Sequence, residues 1–183
     1  IQEGLSQFQQ RNFNLAAATV TEMFGELEPE VIEQAAATIV PARMEQLLDG
    51  DNLPVIIDGS HNQQKIQTLV DAFKESFPDV RPVLVVSFGN NRHRAMKQGL
   101  KVLREISDTI VVTSFDVTAD RRQQALPTSE IAEEASRQSF KQIYEELNPQ
   151  KALKKARSLT EGPILVTGSL YLAVCVRPLV SGN

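Results

Sequence analysis

The residues with the greatest capacity for chemistry follow apolar segments that are typical of buried strands. Residues 58–62 (Asp-Gly-Ser-His-Asn) come after one such segment, residues 89–94 after a second, and Gly168 and Ser169 after a third. Both histidines of the chain fall in the first two of these loops. Because ligands bind at the carboxyl ends of strands in open parallel sheets, we expect a binding site where these loops meet.

The loop of residues 58–62 combines a hydrogen-bond acceptor, a glycine and a predicted helix start. The Asp58 carboxylate is suited to accept hydrogen bonds from a ribose diol, and Gly59 permits a ligand to approach the backbone closely. The three residues that follow precede a predicted helix, whose free N–H groups favour anions. Residues of these types also cap helices routinely, so ligand binding and capping both remain open at this point.

The residue types exclude several other chemistries. No Gly-x-Ser-x-Gly segment supports a serine hydrolase built on Ser169, and Asp58 and His61 on one tight turn are poorly placed to orient each other. Two histidines and one cysteine are too few for a zinc site, and Cys175 lies in an apolar run typical of a buried side chain. The chain lacks both Gly-x-x-x-x-Gly-Lys-Ser/Thr and Gly-x-Gly-x-x-Gly, so a phosphate-cradling loop would have to lie elsewhere.

Two basic clusters also lie in predicted loops. One consists of Arg-His-Arg at residues 92–94 together with Lys97, and the other is the Arg-Arg pair at residues 121 and 122. Such clusters are usually solvated loops and helix starts, although a guanidinium in this position is also suited to clamp a carboxylate. The composition does not decide between these two interpretations.

Alternating strands and helices must position these loops. A hairpin with strands at residues 43–48 and 53–58 and a turn at 49–52 begins the pattern. Further strands are predicted at residues 82–88, 109–113, 140–144 and 163–167, and helices at 63–77, 95–106, 128–137, 149–159 and 169–176. Such alternation forms right-handed βαβ units. We therefore expect an α/β, Rossmann-like fold: a mostly parallel six-stranded sheet with one antiparallel edge strand and helices on both faces.

The first 40 residues do not share this pattern. They contain two predicted helices, at residues 8–24 and 28–40, the second of which ends before Pro41. We therefore expect the α/β domain to span residues 41–183 and residues 1–40 to be the helical tail of a preceding domain. The chain begins with Ile1 rather than Met, which is typical of a fragment.

Composition and charge narrow the functional class. The 183 residues include 19 Lys and Arg against 23 Asp and Glu, giving a net charge of −4, which argues against a nucleic-acid-binding protein. No apolar run approaches the roughly 18 residues of a membrane span, so we expect no membrane association. A single cysteine forbids an internal disulfide and is typical of a protein from a reducing cytoplasm.

Four segments of the chain resemble motifs of one enzyme family. Residues 56–62 (IIDGSHN) resemble its "(I/L)LDGAHNP" segment, and residues 165–172 (LVTGSLYL) match its C-terminal "LVTGSLYL". Residues 41–45 (PARME) resemble its "PGRLE" domain junction, with Ala42 in place of Gly, and residues 8–16 resemble its "YQxxNAxLA" helix. The family is folylpolyglutamate synthase/dihydrofolate synthase, within the Mur ligase superfamily. Four motifs in the right order are more specific than any one of them.

The resemblance implies an architecture and a reaction. It implies that this chain is the last part of a three-part ATP-dependent ligase, whose P-loop, Mg²⁺ ligands and modified lysine lie in an upstream central domain. In the family, ATP activates a folate carboxylate as an acyl phosphate, and the amine of L-glutamate then attacks it. The chain alone is therefore expected to be inactive. Two alternatives remain: a non-catalytic Rossmann-like binding module, and a sibling Mur-type ligase with another amino-acid substrate.

The resemblance also implies roles for individual residues. Gln9 and Asn12 would contact adenine. Arg43, at the linker, would reach the ATP phosphates, and Asp58 would hold the ribose. His61 and Ser169 would help to bind the incoming glutamate, and Arg43 and His61 are the expected catalytic residues. The segment at residues 92–94 stands where the family often has a Lys-Asp pair.

Overall fold

A computed structural model describes residues 7–38, 40–50, 53–118 and 122–181. Its internal contacts divide the chain into two compact units, Ile1–Val40 and Pro41–Asn183. We describe each unit by itself. None of the described helices is both long enough and apolar enough to cross a membrane.

The first unit contains two helices, α1 (Gln7–Phe24) and α2 (Pro29–Ala36). The prediction of α1 is confirmed within one residue, whereas α2 ends four residues before the predicted boundary at residue 40. Its last turn is closed by the N–H groups of Ala37 and Thr38, which donate to Glu33 and Ala35 carbonyls, and the β-branched residues that follow lower helix propensity. No residue of α1 is buried.

The second unit contains eight strands and five helices among its described residues. In chain order these are β1 (Glu45–Leu48), β2 (Pro54–Ile57), α3 (Gln63–Ser76), β3 (Val83–Val86), α4 (His93–Leu103), β4 (Thr109–Val112), β5 (Asp116–Thr118), β6 (Arg122–Gln124), α5 (Thr128–Arg137), β7 (Gln142–Glu145), α6 (Pro149–Arg157), β8 (Ile164–Thr167) and α7 (Leu170–Ser181). The predicted alternation of strands and helices is therefore confirmed.

Six of the strands form one sheet in the order β1-β2-β8-β3-β4-β7. Only β1 is antiparallel to its neighbour, and the other adjacent pairs are parallel. Side chains alternate between the two faces of each strand. Val55, Val85 and Val166 pack in a buried cluster with α6 and α7, and the alternate residues face α3, α4 and α5. The expected mostly parallel six-stranded sheet with one antiparallel edge is confirmed.

One element was not predicted. Strands β5 and β6 pair as a separate antiparallel hairpin inside the segment that we interpreted as a loop. Each strand has only three residues, and Val117 is the only apolar residue among the six, so neither shows a run of apolar residues that predicts a strand. The hairpin is joined to the main sheet because the Leu126 N–H donates to the Phe88 carbonyl at 2.7 Å.

Candidate functional site

The strand order brings two of the sequence motifs together. Because β8 lies beside β2, the loop of residues 58–62 and the Gly168-Ser169 segment meet at the carboxyl end of the sheet. The Asp58 N–H donates to the Val166 carbonyl at 3.0 Å, and the Gly168 N–H donates to the Ser60 carbonyl at 2.9 Å. The two motifs thus form one hydrogen-bonded surface, as the position of ligand sites in parallel sheets leads us to expect.

Gly168 allows the end of a third strand to join this surface. Its φ is +94°, and a Cβ there would lie 2.5 Å from the Ser87 carbonyl oxygen at the end of β3. Only a glycine tolerates both the left-handed backbone and this approach. The three central strands β2, β8 and β3 therefore end at nearly one point.

Arg43 reaches the same surface from the start of the second unit. A Cβ on Gly59 would lie 3.1 Å from Arg43 Nη1, so the guanidinium rests beside the glycine of the 58–62 loop. Arg43 Nη1 also donates to the Ala42 carbonyl at 2.9 Å, and the Gly59 N–H donates to that same carbonyl at 2.9 Å. The Arg43 residue is exposed, so its charge is presented at the surface.

Asp58 is buried, with 3% of its surface exposed. Its Oδ2 accepts a hydrogen bond from the Met44 N–H at 2.8 Å, and its Oδ1 accepts one from the Ser60 N–H at 2.7 Å. The structure thus gives Asp58 a backbone-fixing role that sequence reasoning missed. Its contact with a ribose stays a prediction, and it would have to use the remaining lone pairs of these oxygens.

His61 is half-buried and its ring is oriented by the backbone. Its Nδ1 lies 2.9 Å from the Gly59 carbonyl oxygen. Since a carbonyl can only accept, Nδ1 carries a proton, and in the neutral ring Nε2 is the remaining acceptor. The imidazole is therefore held in one tautomer beside the loop that also contacts Arg43.

Two polar residues of the site cap helices, and the sequence left this role open for one of them, Asn62. Asn62 Oδ1 accepts a hydrogen bond from the Lys65 N–H at 2.9 Å and caps α3. Ser169 is buried, and its Oγ accepts one from the Tyr171 N–H at 3.1 Å at the start of α7. Capping uses the acceptor of the Ser169 hydroxyl and leaves its proton to be donated.

Gln9 and Asn12 lie in the first unit, on α1. They are three residues apart and so share one face of that helix. Gln9 is half-buried and Asn12 is exposed. Their contact with adenine stays a prediction.

The two basic clusters differ in their partners. His93 Nε2 lies 3.0 Å from Glu130 Oε2, while Arg92 is exposed at the start of α4. Arg122 donates to both carboxylate oxygens of Asp116, and this hydrogen bond lowers the pKa of Asp116 below its ordinary value. Arg122 is therefore neutralised, which argues against its acting as a carboxylate clamp. Arg121 lies outside the described residues.

The Mg²⁺ that the resemblance implies would need a set of oxygen ligands, chiefly carboxylates. Within the described ranges, no group of three or more His, Cys, Asp or Glu side chains is placed to hold a metal ion. Asp58 accepts two backbone N–H groups, and Glu45 accepts one backbone N–H group and the Arg177 side chain. We derive no step through a metal bound by these residues.

Comparison with known proteins gives a consistent group of relatives. A model of the family described as "Mur ligase, glutamate ligase domain" matches residues 42–170. Folylpolyglutamate synthase of Lacticaseibacillus casei is 29% identical over 185 residues, covering 98% of this chain and 40% of that protein. The UDP-N-acetylmuramoyl-L-alanyl-D-glutamate–L-lysine ligase of Enterococcus faecalis is 32% identical over 107 residues, covering 58% of this chain and 21% of that protein.

Solved structures extend the similarity across both units. Mycobacterium tuberculosis folylpolyglutamate synthase complexed with ADP superposes with a TM-score of 0.80 and 26% identity, covering 95% of this chain and 40% of that one. The chain thus spans 40% or less of the length of each of these three relatives.

Proposed function

The chain belongs to the Mur ligase glutamate ligase domain family, and from this membership we propose that it is the amino-acid-binding C-terminal part of an ATP-dependent amide-bond ligase. In the proposed reaction a substrate carboxylate attacks the γ-phosphorus of ATP, giving an acyl phosphate and ADP. The amine of L-glutamate then attacks the acyl carbon, which forms the amide and releases phosphate. The observation that carries the proposal is the convergence of Arg43, the 58–62 loop and Ser169 at one end of the sheet.

We assign the charge-stabilising role to Arg43. Phosphoryl transfer and acyl-phosphate chemistry develop negative charge on oxygens, and pre-positioned cations stabilise that charge. The Arg43 residue is exposed, and its Nη1 lies beside Gly59 of the 58–62 loop. Asp58, which fixes this backbone, is proposed to contact the ribose.

The amino acid is proposed to bind at His61 and Ser169. Each has one hydrogen-bonding group committed to the protein and another remaining: Nε2 of the His61 ring and the hydroxyl proton of Ser169. Donors and acceptors of this kind suit a zwitterionic amino acid. On α1, Gln9 and Asn12 are proposed to contact adenine, because the similarity to ADP-complexed folylpolyglutamate synthase includes the first unit.

We propose a folate as the acceptor, and the share of the chain that is matched supports this choice. The folylpolyglutamate synthase of Lacticaseibacillus casei covers 98% of this chain and the Mycobacterium tuberculosis structure covers 95%, whereas the matching Mur ligases cover 56% to 86%. The lysine ligase has the higher identity, however, so a sibling ligase with a muropeptide acceptor and another amino acid is the second candidate.

The deciding experiment measures phosphate release by the full-length protein with ATP and Mg²⁺ across a panel of acceptors and amino acids. We expect turnover that requires both L-glutamate and a dihydropteroate or reduced folate, with ligated product seen by mass spectrometry. Turnover with a UDP-muramyl dipeptide and lysine would instead establish the sibling ligase. Absence of turnover with every pair would support a non-catalytic binding module.

A further inference from the structure

The turn that carries Arg43 has an unusual backbone. Ala42 and Met44, on either side of Arg43, have φ values of 54° and 53°. Neither is a glycine, and side-chain-bearing residues adopt this left-handed conformation rarely. Such a conformation persists only where surrounding contacts over-determine it, and it is concentrated at functional sites.

Two buried carboxylates supply those contacts. Glu45 Oε2 accepts a hydrogen bond from the Ala42 N–H at 3.0 Å, and Asp58 Oδ2 accepts one from the Met44 N–H at 2.8 Å. The Glu45 side chain is only 2% exposed. The backbone N–H groups of the residues before and after Arg43 are therefore each held by a carboxylate, although the two acids lie on different strand ends.

Glu45 is itself held by a cation from the far end of the chain. Arg177, on α7, donates from Nε to Oε1 at 2.9 Å and to Oε2 at 3.1 Å of Glu45. A carboxylate this deeply buried is costly unless it is paired and hydrogen-bonded. Arg177 thus offsets the cost of burying the Glu45 carboxylate beside the turn of residues 42–44.

We infer that Arg177 and Glu45 form a positioning pair that sets the Arg43 guanidinium for the reaction. This inference rests on the proposed function, which places Arg43 at the phosphates. The chain of contacts is short: Arg177 orients Glu45, Glu45 holds the Ala42 N–H, and the Ala42 carbonyl accepts from both Arg43 Nη1 and the Gly59 N–H. Releasing the turn would displace the guanidinium, and a displacement of about 1 Å is enough to lower a rate roughly 100-fold.

The test uses Arg177→Gln in the full-length protein, with Arg157→Gln as the matched control. Arg157 forms an ion pair of 2.6 Å with Asp49, whose side chain is 18% exposed, at the opposite end of β1. Both variants therefore remove an arginine from a partly buried ion pair at one end of β1, but only Arg177 pairs at the end that carries Arg43. Arg177→Lys, which restores the positive charge, is the conservative variant.

Two measurements are made on each variant. Amide hydrogen exchange by NMR measures the protection of the Ala42 N–H. Steady-state kinetics measure kcat and KM. For Arg177→Gln we expect Ala42 exchange to accelerate at least 10-fold and kcat to fall at least 10-fold, with KM for glutamate within twofold. Arg177→Lys should recover most of the rate, and Arg157→Gln should leave Ala42 exchange and kcat unchanged.

Two outcomes would overturn the inference. Unchanged Ala42 exchange in Arg177→Gln would show that the pair does not hold the turn. Faster exchange with an unchanged kcat would show that the held turn does not position a reacting group. If the parent protein shows no turnover with any acceptor, the proposed function fails by itself, and the exchange result alone decides whether Arg177 holds the turn through Glu45.

Discussion

The two ends of the large sheet use charged side chains in opposite ways. At the amino end, Asp108 lies within 2.6 Å of Arg104 and 3.4 Å of both Arg81 and Lys141, so one carboxylate joins three cations that precede or follow neighbouring strands. At the carboxyl end, Asp58 accepts from two backbone N–H groups instead. Glu45, at the same end, is ion-paired with Arg177 but also accepts from the Ala42 N–H, so both carboxylates fix the backbone.

The charged side chains at the amino end hold strands together, whereas those at the carboxyl end present a reactive group. At the amino end, side-chain ion pairs link the strand starts, and none of the three cations is presented by a turn like that of Arg43. At the other end, left-handed residues at positions 42, 44 and 168 bring three strand ends and Arg43 to one place. The left-handed residues at the carboxyl end differ from Asp79 and Ser139 at the amino end in that they flank Arg43 or bring strand ends together.

The largest effect on stability is expected from Gly168→Ala, which adds a Cβ at the carboxyl end of the sheet. The new Cβ would lie 2.5 Å from the Ser87 carbonyl oxygen, and that backbone atom cannot move aside cheaply. We expect a loss of about 3 kcal/mol or more in the free energy of unfolding, measured by urea denaturation. Gly50→Ala is the control, because a Cβ there meets nothing within 4 Å. Equal stability of the two variants would show that the strand ends are loosely packed.

A smaller and more specific effect is expected from His61→Ala in the full-length protein. Loss of the Nε2 acceptor should raise KM for glutamate about 10-fold, equivalent to one lost hydrogen bond of roughly 1.4 kcal/mol, and leave KM for ATP unchanged. The matched control is His93→Ala, since His93 faces Glu130 at the start of α4. If His61→Ala raised both KM values equally, the amino-acid site would have to lie elsewhere.

The smallest effect is expected at the amino end, from Asp108→Asn. Desolvation acts to raise the pKa of Asp108, but the hydrogen bond from Lys141 and the charges of Arg81 and Arg104 outweigh it, so the pKa lies below 3.8. A carboxyl group with a lowered folded-state pKa stabilises the fold above its unfolded-state pKa, and this contribution is lost as the pH falls through the folded value.

The Asp108→Asn variant should therefore be about 1 kcal/mol less stable than the parent at pH 7, and the difference should shrink as the pH falls below 3.8. Thermal unfolding across this pH range measures it. A difference that stayed constant with pH would mean that hydrogen-bond geometry, and not charge, explains the role of Asp108.

The fold was largely predictable because the inner strands of its sheet are nearly continuous apolar segments. All four residues of β3 and of β8 are buried, as expected for parallel strands covered on both faces, and helix α5 has the predicted bounds. The hairpin β5–β6 was not predictable, since its pairing depends on contacts with residues 88–90 and not on its own composition.

The loops of the site were predictable from the sequence, but the side-chain contacts that hold them were not. The 58–62 loop and Gly168-Ser169 were identified because they follow buried strands. The pairing of Glu45 with Arg177 joins residues 132 positions apart, and local patterns carry no information at that separation. One signal was present: Arg177 is the only charged residue in the otherwise mostly apolar helix α7, which indicates a specific partner.

The most direct test compares two arginines, one at each end of the sheet, in the full-length protein. Arg43→Ala should lower kcat about 100-fold, equivalent to roughly 2.7 kcal/mol of transition-state stabilisation, while the melting temperature stays within about 2 °C of the parent. Arg104→Ala removes the 2.6 Å ion pair with Asp108 and should do the reverse, lowering the melting temperature by several degrees with kcat within twofold. The account would be contradicted if Arg43→Ala kept the kcat of the parent. It would also be contradicted if the fall in kcat were fully explained by a lower melting temperature.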